Sequence, residues 1–240
     1  MVNRFWSVFL DLLAPPRESE RTVRSLSLEA LRELHREDGL PYREQAVTAL
    51  VWELKYRANT RAAELAGAYL AEELLALASE ELGTPLLIPV PMHEERYRER
   101  GFNQTELLCE AALAALGGGG TSPRKWSGPR ARALKSDAGD TGDPRTFSRG
   151  STAGAVFEYA PDVLVRTRAT APQQGLPKHT RLKNAQNSMA VNTPHLWRVG
   201  GRVCVVVDDV TTTGATLKEA RRALRRAGAR RVHCVALARS

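Results

Sequence analysis

Apolar residues recur at three- and four-residue steps through Val47, Leu50, Val51 and Leu54, and again through Leu65, Tyr69, Leu74 and Leu77. Each set makes one stripe along a helix. The first helix is expected from Tyr42 until "RANT" at 57–60 interrupts it, and the second from about Arg61 to Leu82. Trp52 and Tyr69 lie on these stripes and are expected in the core. A weaker helical pattern, Leu26 to Glu37, stops at Gly39 and Pro41. Beyond Gly83 the period changes. "PLLIPVP" is a short apolar run bounded by prolines, which reads as a buried strand. "MHEERYRERGFNQTELL" is dense in charge and is expected as a loop leading into a helix through Leu116. "PDVLV" predicts a short strand, a polar loop follows, and a helix is expected from Lys178.

Val203, Val205, Val206 and Val207 show no polar alternation, so they predict a strand covered on both faces. A helix from Gly214 to Ala227 and a final buried strand, "RVHCVALA", complete the pattern. The order predicts an α/β fold, a doubly wound and mostly parallel sheet preceded by an N-terminal helical region. Residues 1–82 form that helical region and 83–240 the sheet domain. Within the domain, 117–155 is rich in Gly, Ser, Pro and Arg without periodicity, and is expected as a flexible insertion.

Composition narrows the classes. Lys plus Arg exceed Asp plus Glu by 35 to 27, a formal charge of +8, which permits polyphosphate or nucleic-acid partners. The three cysteines, Cys109, Cys204 and Cys234, have no CxxC spacing, so neither a zinc knuckle nor a disulfide framework is indicated. The opening "MVNRFWSVFLDLLAPP" is broken by Asp11 and has no small-residue cleavage site, so it reads as a short amphipathic helix stopped by Pro15 and Pro16. No segment approaches the ~20 apolar residues of a bilayer span. A cytoplasmic protein is expected.

The chemistry concentrates after the valine run, in "DDVTTTGATLKEA". Asp208 and Asp209 fall at the carboxyl end of a buried strand, where ligands of such sheets gather. Gly214 permits a tight turn, and the helix beginning near Ala215 offers unpaired N–H groups and about half a positive charge to a phosphate. Thr211, Thr212, Thr213 and Thr216 add hydroxyl donors. The aspartates repel phosphate but accept hydrogen bonds from sugar hydroxyls or hold waters of a Mg²⁺ ion. A helix cap needs one acid or threonine, and this stretch exceeds that need. An ATPase strand ending in acids requires a GxxxxGK[ST] loop upstream, which the chain lacks. The stretch therefore asks for a phosphorylated sugar.

"VVVDDVTTTGAT" resembles the phosphoribosyl-pyrophosphate (PRPP) motif of type I phosphoribosyltransferases. "LVWELKYRANTRAAELAGAYLAEEL", "PVPMHEERYRERGFNQTELL", "RATAPQQGLPKHTRLKN" and the terminal "ALAR" are similar to segments of the competence-associated ComF/GntX family, in family order. That resemblance implies a type I phosphoribosyltransferase-like fold. It places ribose hydroxyls on Asp208 and Asp209, and phosphate on Thr211, Thr212, Thr213, Gly214, Ala215 and Thr216. It gives Arg98, Arg100, Gly101, Asn103 and Gln104 to a pyrophosphate loop. Thr170, Gln173, Leu176, Arg181 and Asn184 match a mobile loop over the site. Lys55 and Tyr56 match a family "KY" without a physical role. The chain departs from the family where paired CxxC zinc motifs are usual: "APPRESERTVRSLSLEALREL" has no cysteine, and no zinc is expected.

Two functions follow from the resemblance. One is a pentosyl-transferring enzyme that displaces pyrophosphate from PRPP–Mg²⁺ with an unidentified acceptor. The other is a non-catalytic DNA-uptake module, binding single-stranded DNA or a helicase and using the PRPP pocket as a sensor. Arg221, Arg222, Arg225, Arg226, Arg230 and Arg231 form the densest basic cluster. At about 1.5 Å per residue they begin roughly 10 Å from the phosphate seat and run away from it. They read either as a solvated face complementing the helix dipole or as a nucleic-acid footprint.

Overall fold

The computed structural model describes residues 16–37, 39–117, 156–167 and 188–240. The valine run lies at its centre. Strand β6 (Val203–Thr211) pairs in parallel with β7 (Arg231–Arg239) on one side and β2 (Leu86–Pro89) on the other. The edges are β1 (Leu40–Pro41) beside β7 and β3 (Glu158–Tyr159) beside β2, so the order is β1-β7-β6-β2-β3 and every pairing is parallel. A second, two-stranded antiparallel sheet joins β4 (Leu164–Arg166) to β5 (Met189–Val191).

Helices cover both faces. On the front lie α1 (Pro16–Ser25), α2 (Leu28–Leu34), α3 (Gln45–Arg57), α4 (Thr60–Ser79) and, after the short α5 (Glu94–Arg100), α6 (Gln104–Ala115). On the back lie the one-turn α7 (Leu196–Val199) and α8 (Ala215–Arg226). Val205 and Val207 enter the front core, Cys204 and Val206 the back core, as the two-residue period of a strand requires. Residues from both sides of position 82 share the front core. Gly67 of α4 meets α6 so closely that a Cβ there would stand 2.5 Å from the Ala111 side chain, which fixes the spacing of these two helices.

After β2 the chain departs to the front, where α6 packs, whereas the β6-to-β7 connection runs over the back through α8. Adjacent strands whose connections depart to opposite faces leave a crevice beyond their carboxyl ends. Here it opens between β2 and β6.

The structure corrects several details. The stretch expected as a charged loop contains helix α5, capped by the His93 side chain and closed by left-handed Gly101. Helix α4 ends at Ser79 rather than Leu82. Pro16 opens α1 as a first-turn proline, and helices α1 and α2 occupy the segment where the family usually places its zinc motifs. Trp52 is half-buried, not core, whereas Tyr69 is buried. The three cysteines are free thiols; burial pushes Cys204 up to about 11. The opening helix, most of the 117–155 insertion and the helix from Lys178 lie outside the described residues, as do Thr170, Gln173, Leu176, Arg181 and Asn184. Among the described residues, no helix is long and apolar enough to cross a membrane.

Candidate functional site

Strand β6 continues to Thr211, so Asp208 and Asp209 stand just inside its carboxyl end, 8% and 5% exposed. Neighbouring strand residues point to opposite faces, and the carboxylates are offered from either side of the strand tip. Asp208 Oδ1 accepts the Asp209 N–H at 2.9 Å, and Asp209 Oδ1 accepts the Val210 N–H at 2.6 Å. Asp209 Oδ2 is buried and takes no hydrogen bond. Burial, reinforced by the neighbouring Asp209 charge, pushes the Asp208 carboxyl up to about 7; its backbone hydrogen bond, Lys55 and Arg166 oppose that rise.

The turn after β6 leaves more of its polar groups without side-chain partners. Gly214 adopts φ +70, a left-handed conformation natural to glycine, and as a glycine it offers no capping side chain to the helix it introduces. Thr213 Oγ1 lies 3.4 Å from the Ala215 N–H. Thr211 is buried and Thr212 exposed, with Thr213, Gly214 and Thr216 between these extremes and Ala215 buried. Helix α8, at 12 residues, is long enough to carry a full terminal dipole.

The segment after β2 behaves differently. Asn103, 3% exposed, accepts the Thr105 N–H and donates to the Val90 carbonyl at 3.1 Å and to Glu106 Oε1 at 3.2 Å. Thr105 Oγ1 donates to the same Val90 carbonyl at 2.7 Å. Asn103 thus fastens α6 to the end of β2. Arg98 is 74% exposed and pairs with Glu94 along α5. Arg100 points elsewhere: its guanidinium stacks 4.9 Å over the Tyr56 ring and reaches Gln104 Oε1 at 3.4 Å.

Two cations that the sequence left without a role frame the acids. Lys55 Nζ, from the last turn of α3, stands 3.4 Å from Asp209 Oδ2, an ion pair without a directed hydrogen bond. Arg166 of β4 is largely buried, donates to the Pro91 carbonyl at 2.8 Å and feels the Asp208 charge, while its burial holds its pKa below the usual guanidinium value. The "WELKYRAN" corner explains the family "KY". Glu53, 2% exposed, accepts from Ser19 Oγ at 2.7 Å and Asn59 Nδ2 at 2.8 Å. Ala58 turns left-handed at φ 45, and Asn59 caps α4. This holds the end of α3 so that Lys55 meets Asp209 and Tyr56 receives Arg100. Trp52 packs 5.3 Å from Tyr56, with Arg57 over its other neighbour space at 5.5 Å from the indole ring. Only tertiary contact reveals the roles of Lys55, Tyr56 and Arg166, because Asp209, Arg100 and Pro91 are remote from them in the chain.

The arginines of α8 and of the turn into β7 are partly engaged. Arg225 donates to the Arg230 carbonyl at 2.7 Å, Arg222 approaches Glu219 at 3.9 Å, and Arg230 and Arg231 pair with Glu81 at 3.5 and 2.7 Å. His233 shares that Glu81 carboxylate, and these bonds draw its pKa below the usual carboxylate range. This group lies at the end of the sheet opposite the crevice.

Residues 161–240 match the phosphoribosyl transferase domain family. The DNA utilization protein YhgH of Escherichia coli (strain K12) is 30% identical over 196 residues, covering 81% of this chain and 67% of that protein. The protein of the same name from Salmonella typhimurium is 32% identical over the same shares. Among solved structures, the allosteric regulatory enzyme of purine biosynthesis aligns at 16% identity and TM-score 0.37, covering 78% of this chain and 30% of that one. Glutamine PRPP amidotransferase from B. subtilis aligns at 15% identity and TM-score 0.35, covering 77% and 30%. The chain spans less than a third of either enzyme.

Proposed function

Because the chain belongs to the ComF/GntX family of phosphoribosyltransferase-like DNA-utilization proteins, we propose that its crevice between β2 and β6 binds PRPP as the Mg²⁺ complex. The observation that carries this reading is the buried Asp209 Oδ2 that takes no hydrogen bond, beside a helix N-terminus entered through left-handed Gly214, which brings no capping side chain. A buried oxygen without a hydrogen bond is costly unless a ligand completes it. The α8 turn receives the 5-phosphate on backbone N–H groups and threonine hydroxyls, and the acids receive the ribose.

Two hard carboxylate oxygens fit Mg²⁺, which is commonly held by one or two carboxylates together with substrate phosphates and water. Bound there, Mg²⁺ neutralises the diphosphate. Transfer breaks the C1–O bond, the electron pair leaves with pyrophosphate, and an acceptor nucleophile bonds to C1. Asp208 and Asp209 hold the sugar as C1 becomes cationic, while Lys55 and Arg100 add positive charge on the α3 side.

Calorimetric titration with PRPP and Mg²⁺ tests the site: the wild-type chain binds, and Asp209→Asn weakens binding by about 100-fold, or some 2.7 kcal/mol. No binding by the wild type overturns the reading. A pyrophosphate-release screen over nucleobases then separates the transferase from the second reading, a DNA-uptake module with a PRPP sensor. The feature favouring that second reading is the surface cluster of Arg57, Trp52, Tyr56 and Arg100, whose 44%-exposed Tyr56 offers ring surface beside the crevice. Binding without release for any acceptor supports the sensor.

A further inference from the structure

Lys55 occupies the approach to the one Asp209 oxygen that lacks a hydrogen bond. Its placement is fixed, since the end of α3 is anchored by the buried Glu53 carboxylate, by left-handed Ala58 and by Arg100 on Tyr56. With Arg166 acting on Asp208 from the back face, two cations face two carboxylates. The Asp209 charge is therefore already balanced by an ammonium when the crevice is empty.

That balance has opposite consequences for two kinds of visitor. A bare divalent cation finds its best oxygen already facing an ammonium and must drive that charge away. A metal–diphosphate complex is net negative, so the same ammonium attracts it, and phosphate oxygens give Lys55 a new partner when the metal or sugar takes Asp209. The sign of the Lys55 contribution reverses between the two.

We propose that Lys55 makes binding ordered, refusing a free divalent cation at Asp208 and Asp209 and admitting the metal only as its complex with a diphosphate ester. This inference rests on the PRPP–Mg²⁺ reading of the crevice and assigns Lys55 the role of setting what enters it.

The test uses Mn²⁺ in place of Mg²⁺, with free ion counted by its electron paramagnetic resonance signal. Wild type, Lys55→Met, Lys55→Gln and Lys55→Arg are titrated with Mn²⁺ alone, then with Mn²⁺ and PRPP. Lys55 is about a quarter exposed and outside both cores, and circular dichroism checks that each variant is folded. The expected result is Mn²⁺ binding at least tenfold tighter in the Met and Gln variants, with Mn²⁺–PRPP binding at least tenfold weaker; the Arg variant follows wild type. Unchanged affinity for Mn²⁺ alone, with Mn²⁺–PRPP still bound by wild type, overturns the Lys55 role and leaves the crevice reading standing. Failure of wild type to bind Mn²⁺–PRPP overturns both.

Discussion

The turns that leave β2 and β6 lie side by side at the same end of the sheet and use their polar residues in opposite ways. After β2, Asn103 and Thr105 converge on the Val90 carbonyl, and Arg98 turns to Glu94. After β6, Gly214 brings no capping side chain to the helix it introduces, Thr213 Oγ1 reaches the Ala215 N–H only at 3.4 Å, and Asp209 keeps one buried oxygen without a hydrogen bond. The first turn satisfies itself. The second leaves a buried oxygen with an ion pair but no hydrogen bond. Residue type alone does not separate the two, since Asn, Thr and Arg serve either purpose.

Short of removing its acids, changing the backbone of the open turn should have the largest effect. Gly214→Val has room, because a Cβ there meets nothing nearer than 3.9 Å, but a β-branched residue resists φ +70. The helix start is then redirected, and PRPP–Mg²⁺ affinity is expected to fall at least ~30-fold, about 2 kcal/mol by calorimetry. Affinity within about twofold of wild type would erase the contrast between the turns. The self-satisfied turn should respond in stability instead. Asn103→Ala removes a helix cap and strands part of a buried network, costing about 2 kcal/mol in urea unfolding while the folded fraction binds as before.

The smallest effect is a pH dependence confined to the β6 turn. Asp208 titrates near 7 in the folded chain against 3.8 as its ordinary value, so the folded state holds more protons between those limits. Its contribution is full below about 4 and is lost as pH rises through about 7. Asp208→Asn should flatten this slope, gaining about 1–2 kcal/mol over wild type between pH 5 and 8 in melting experiments without ligand. A parallel pair of pH profiles would show that Asp208 is not held protonated.

Legibility in the sequence followed the physics of each element. The valine run and the α3 and α4 stripes were readable because burial imposes a period on neighbouring residues. Helix α5 has no buried residue and rests on local pairs and caps, so its charges read as a loop. Two-residue β1, with a proline in it, carries too little pattern to register. At the site, the acids and the glycine turn were visible as a contiguous motif. Lys55, Arg166 and Glu53 were not, since their roles exist only once separate segments meet.

Strand β1 also bears on timing. Leu40 and Pro41 pair with Ala238 and Arg239, and the Tyr42 N–H donates to the Arg239 carbonyl at 2.7 Å. The segment leading into α3 thus finds its mate only after β7 has emerged from the ribosome. Closing so wide a loop is slow compared with forming helices. Until it happens the nascent α3 presents its cation to solvent, and the pocket is among the last parts of the molecule to come into being.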